Sequence, residues 1–146
     1  MNKEFLNIAI VDDNDKNLTS FKNNLSKIKI GTRIQIFENI NDILNCINEE
    51  EYVVPEIVFI NYDVFEEKIL FEIKTNGRFK NLSTAIYSDR MSESEIEDFF
   101  IKGGNIFVKI KDDETEFKKA LSEVIAINWQ YHTSGLNKDN FILKIL

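Results

Sequence analysis

The feature that most limits what this chain can become is an alternation of two periodicities. Five short runs, "FLNIAIV" (5–11), "RIQIF" (33–37), "EIVFI" (56–60), "TAIYS" (84–88) and "NIFVKI" (105–110), are rich in β-branched and aromatic residues and bounded by polar turns, as strands are. Between them apolar residues recur three and four apart. Leu18, Phe21, Leu25 and Ile28 form the first set, and Ile40, Ile43, Leu44 and Ile47 the second. Ile69, Leu70 and Ile73 form the third, then Ile96, Phe99 and Phe100, then Phe117, Leu121, Val124 and Ile125. Each set lines one helical face, the spacing needed to lie on a sheet. Strands apolar on both faces predict a mostly parallel sheet covered on both sides. Right-handed crossovers make this an α/β fold, a doubly wound five-stranded parallel sandwich of (βα)5 type.

Start and stop signals agree with that reading. "SESE" at 92–95 is a capping box, with Ser92 accepting from first-turn amides and Glu95 reaching back. Gly103-Gly104 ends that helix where a left-handed residue is wanted, and Pro55, the only proline, sits just before a strand. A chain of 146 residues suits one domain. Its net charge of −7, with no basic cluster, argues against nucleic acid and anionic membranes as direct partners. No run approaches the ~20 apolar residues of a membrane span, and the N-terminus lacks the apolar core of a signal peptide. The single cysteine, Cys46, has no intramolecular disulfide partner and suits a reducing, cytoplasmic setting. His132 is also the only one of its kind and reads as a tail residue, not a metal ligand.

In doubly wound sheets ligands bind outside the carboxyl ends of the strands. There the sequence places Asp12-Asp13 after the first strand and Asn61 after the third, with Asp63 beyond it. Ser88 and Asp89 follow the fourth strand, and Lys109 and Lys111 the fifth. Acids, a hydroxyl and an ammonium at one edge are the inventory of a site for a divalent cation and a phosphoryl group. The competing reading of the first acids is local: Asp12, Asp13 or Asn14 would cap the first helix.

Taken together these motifs resemble the response-regulator receiver domains of two-component signalling, over residues 5 to 129. "IAIVDDND" matches the acidic pair, "PEIVFIN" the third strand up to its acceptor, "AIYSD" the hydroxyl, and "KGGNIFV" the fifth strand of single-domain receivers. The resemblance implies a flavodoxin-like fold and Mg²⁺ held by Asp12, Asp13 and the backbone of Asp63. It also implies Ser88 as switch hydroxyl, Phe107 as switch aromatic, and Lys109 as the candidate phosphate-site lysine. Phe107 reads more readily as plain core than as a switch.

The departures set the functional expectation. Asn61 stands where the family has its phosphoacceptor aspartate, and a carboxamide has no carboxylate oxygen to attack phosphorus. It also removes one negative charge, so Mg²⁺ affinity should be weak. Ungapped alignment puts Ile110 at the lysine position, and a one-residue shift turns a strand side chain to the other face. The loop "DVFEEKI" (63–69) is about three residues short and lacks the family's usual turn.

The expectation is therefore an atypical receiver that acts through protein partners, such as a sensor kinase, on the face of helix four, strand five and helix five. One alternative is a receiver phosphorylated on Asp63. Another is a small Mg²⁺-dependent phosphatase of haloacid dehalogenase type built on Asp13-x-Asp15, although Asn17 stands where those enzymes carry threonine. Residues 130–146 read as a tail with a turn at Gly135 and an apolar end, "FILKIL", that packs on its own domain or on a second copy. No output domain is expected after it.

Overall fold

The computed structural model describes residues 5–47, 49, 51–79, 82–110, 113–134 and 142–146, without the side chains of Ile47 and residues 131–134. Lys111, Asp112 and Gly135, and the side chain of His132, lie outside that description. Strands β1 (Phe5–Val11), β2 (Gly31–Phe37), β3 (Ile57–Asn61), β4 (Ser83–Ser88) and β5 (Ile106–Lys109) alternate with helices. The helices are α1 (Asp15–Leu25), α2 (Ile40–Ile47), α3 (Lys68–Thr75), α4 (Glu93–Ile101) and α5 (Glu114–Ser134). The strands align in parallel in the order β2-β1-β3-β4-β5. The order reverses direction between β1 and β3, which places the crevice at their carboxyl ends.

Among the described residues the sheet has six strands where five were expected. The sixth, β6 (Leu143–Ile145), runs parallel to β5, with Leu143 opposite Ile106 and Ile145 opposite Val108. The reason lies in the alternation of "LKI": Leu143 and Ile145 pack on the core side, while Lys144 turns outward and its Nζ meets Glu93 Oε2 at 3.0 Å. Helix α5 continues past position 129, to Ser134.

The helical faces read from spacing are the faces that bury. Phe21 and Leu25 of α1 and Phe117, Leu121, Val124 and Ile125 of α5 cover one side of the sheet, over Phe59 and Tyr87. Ile40, Ile43, Ile69 and Ile73 of α2 and α3 cover Val58 and Ile60 on the other. Leu70, Ile96 and Phe99 close over Ile86 and Phe107. Helix α4 begins with the expected capping box, Ser92 accepting from the Glu95 backbone amide and donating its own to the Glu95 carboxylate. It ends at Gly103, whose φ of +111° is open to glycine at little cost.

Candidate functional site

Register builds the site. Asn61 lies opposite Tyr87, and Val11 opposite Ile60, so Asp12, Asn61 and Tyr87 form one row across the ends of three neighbouring strands. Laterally aligned residues of a parallel sheet point to the same face. Asp12 is fully buried, Asn61 is 6% exposed and Tyr87 1%.

Four donors converge on Asp12. Asn61 Nδ2 reaches Oδ2 at 3.1 Å, the Tyr87 hydroxyl at 2.5 Å and Asn17 Nδ2 at 3.0 Å. The backbone amide of Asn14 takes Oδ1 at 2.9 Å. The first turn of α1 adds its positive dipole end close by. Helix capping itself falls to Asn14, whose Oδ1 accepts from the Asn17 amide at 3.0 Å, so Asp12 is freed from that role. Burial and the bond to Asp12 push the Tyr87 hydroxyl well above the ordinary tyrosine range, which keeps its proton in place as a donor.

Both polar atoms of Asn61 are committed. Its Oδ1 accepts from the Asp63 backbone amide at 2.9 Å, capping the one-turn helix Tyr62–Val64, while its Nδ2 faces Asp12. The Asp63 carboxylate points away from the row, to the Arg90 guanidinium, whose Nε donates to it at 3.0 Å. Arg90 also lies over the Tyr62 ring, and the Tyr62 hydroxyl donates to Glu95. Together these contacts clasp the loop after β3 to the start of α4. Asp13 is exposed.

Ser88 is buried and lines the same cleft, about 620 Å³ in volume, with Asn61, Asp63, Asp89, Lys16 and Ile110. Its Oγ accepts from the Arg90 backbone amide at 3.0 Å and so organises the loop after β4. Lys109 lies opposite Ser88, one residue out of phase with the Asn61–Tyr87 row. It is exposed and lines a different cleft of about 170 Å³ between α5 and the end of β6. Ile110 occupies the position beside Ser88 instead, its amide donating to the Ser88 carbonyl at 3.0 Å. Phe107 is 2% exposed, packed with Ile86, Ile96 and Phe99.

An oxygen cage for Mg²⁺ needs lone pairs facing the ion. Here the space between Asp12 and Asn61 receives hydrogens: Oδ2 of Asp12 already accepts three donors, and Asn61 turns its N–H toward it. Among the described residues, no group of three His, Cys, Asp or Glu is placed to hold a metal ion. The donor set does not fit the cation that the resemblance implies.

Tyr87 and Arg90 were not singled out in the sequence, and Asn17 was weighed only against a phosphatase motif. The one signal was "IYSD": a tyrosine beside Ser88 alternates to the face of Asn61, and only its length carries the hydroxyl to Asp12.

No protein-family model and no curated protein matches the chain. Solved structures do match its fold. A phosphorylated cyanobacterial phytochrome response regulator, RcpA, superposes with a TM-score of 0.73 at 14% identity, covering 86% of this chain and 94% of that one. The Mn(2+)-bound form of the response regulator Rcp1 gives 0.71 at 14% identity, covering 83% and 92%. The BeF3-activated DrrB receiver domain of Thermotoga maritima gives 0.66 at 19% identity, covering 86% and 98%. The chain therefore has the flavodoxin-like fold of response-regulator receiver domains. No helix among the described residues is long and apolar enough to cross a membrane.

Proposed function

We propose that this chain is an atypical receiver-like signalling protein, acting in the cytoplasm through protein contacts in two-component signal transduction, and that it does not accept a phosphoryl group. One observation carries the reading: the residue at the acceptor position, Asn61, is an amide tied through Nδ2 to the buried Asp12. A carboxamide in that place offers no nucleophile. Asp63, the acid of the loop after β3, has its carboxylate held by Arg90, and in-line attack tolerates little displacement. An enzymatic role finds little support either, because Asp13 and Asp15 are both exposed on the surface beside α1.

Without a phosphoryl group to draw Ser88 inward, only a bound partner shifts the balance of conformations. The face we assign to that partner is formed by α4, β5 and α5. Strand β6 lies along the β5 edge of it, so the partner meets Leu143 and Ile145 or displaces them. The exposed Ile142 and Leu146 give a second copy of the chain an apolar contact on the same side.

The test is incubation of the full chain with Mg²⁺ and acetyl phosphate, then with beryllofluoride, read by intact mass and by amide spectra. The expected result is no change. An adduct mapped to Asp63 would overturn the proposal.

A further inference from the structure

The row that closes the cleft contains more than a substituted acceptor. Asn61 alone leaves a route open to a metal ion, because turning its amide over presents Oδ1 as a neutral ligand beside Asp12. Asn17, whose Nδ2 also donates to Asp12, is only half-buried on α1. Tyr87 has no such freedom. Its ring is 1% exposed and packed against Phe21, with ring centroids 4.8 Å apart, in a cluster with Phe59 and Phe117. Close-packed interiors hold side chains in one rotamer, so moving the hydroxyl requires the core to open. From this position the O–H meets Asp12 Oδ2 at 2.5 Å, the distance of a charge-assisted bond. An oxygen at that distance stands where a cation bound to Oδ2 of Asp12 would need to be, and it presents a proton there.

We propose that the Tyr87 hydroxyl, with the Asn61 amide, takes the place of a divalent cation beside Asp12, and that Tyr87 is the residue that excludes metal ions from this cleft. The carboxylate is then neutralised by fixed internal donors, and the row is complete without any ion. Restoring an aspartate at position 61 is not enough to restore metal binding, because Tyr87 still fills the coordination position. The inference rests on the reading of the cleft as closed to phosphoryl transfer, yet the two fail separately. An adduct on Asp63 overturns that reading, whereas Mn²⁺ held at Asp12 in the wild-type protein overturns this one.

The experiment titrates free Mn²⁺ by electron paramagnetic resonance against four full-length proteins: wild type, Asn61→Asp, Tyr87→Phe, and the double variant. Wild type and Asn61→Asp should leave millimolar Mn²⁺ free. The double variant, which gains a second carboxylate and a cleared position, should bind at least about tenfold tighter than Asn61→Asp. The proposal is overturned if Asn61→Asp binds as tightly as the double variant, or if the double variant is folded by circular dichroism and still binds nothing. Should the double variant not fold, the wild-type protein decides: Mn²⁺ should leave the Asn61 side-chain amide resonance sharp, and paramagnetic broadening of it would refute the assignment.

Discussion

Tyr87, on β4, reaches past the end of β3 and sets its hydroxyl 2.5 Å from Oδ2 of Asp12, which follows β1. Residues from strands that are not neighbours are joined there by one bond, and Asn61 on the strand between them donates to the same oxygen. The carboxyl edge of the sheet is thus stitched by side chains where a receiver of the usual kind has carboxylates facing one another. Removing the stitch is the most direct way to weigh it.

Tyr87→Phe keeps the ring and deletes the donor, leaving a buried carboxylate short of one partner. The expected loss is about 1–3 kcal/mol of folding stability. Urea unfolding at pH 7 should show a lower midpoint with an unchanged slope.

The same variant tests a pH dependence. Burial, and then Asp12, raise the Tyr87 hydroxyl above its ordinary value of 10.0, so the folded chain holds this proton more firmly than the unfolded one. Stability from a group shifted upward is complete below the unfolded value and is lost as pH climbs from there toward the folded value. Wild type should therefore lose more stability than Tyr87→Phe between pH 9 and pH 11, and the gap between them should narrow. A constant gap across that range would contradict the assignment.

Asn61→Asp replaces a donor by a second carboxylate beside the buried Asp12. Like charges in such a place disfavour one another, and the variant should be less stable by about 1–3 kcal/mol at pH 7 without added metal. Thermal unfolding in the presence of a chelator would measure this.

Gly104 lies against Phe99, and a Cβ there would come 2.2 Å from its ring. Gly104→Ala should cost about 1–3 kcal/mol by overpacking the ring that supports α4. Gly77→Ala, with nothing within 4 Å of its Cβ, should fall within about 0.5 kcal/mol of wild type. Paired denaturant curves distinguish the two.

Strand β6 adds three residues to the sheet and buries them only in part. Replacing both Leu143 and Ile145 by Asp should release it, speed amide exchange in β5, and leave the protection of β1 unchanged. Unaltered exchange at Ile106–Val108 would mean that β6 contributes nothing to the integrity of that edge.

Much of this molecule can be read along the chain. The runs of β-branched and aromatic residues locate β1 to β5 within two residues at each end, because such side chains suit a pleated, packed surface. Phe21 and Leu25, or Ile69 and Ile73, betray their helical faces by spacing alone, and "SESE" fixes the start of α4. Asn61 and Asp12 fall at neighbouring strand ends for the same reason.

What the linear pattern leaves open is decided by register. Whether Lys109 or Ile110 stands beside the site depends on which residue of β5 meets Ser88, and a shift of one reverses the face. The tail's apolar end is compatible with a partner or with its own sheet, and only the pairing of Leu143–Ile145 with Ile106–Val108 sets it against β5. Tyr87 looks like any core aromatic until β1, β3 and β4 are aligned and its hydroxyl arrives at Asp12. Composition and periodicity are local properties and determine elements. The partners of a buried polar atom depend on which distant residues the sheet sets side by side, so the chemistry of this cleft belongs to the tertiary structure.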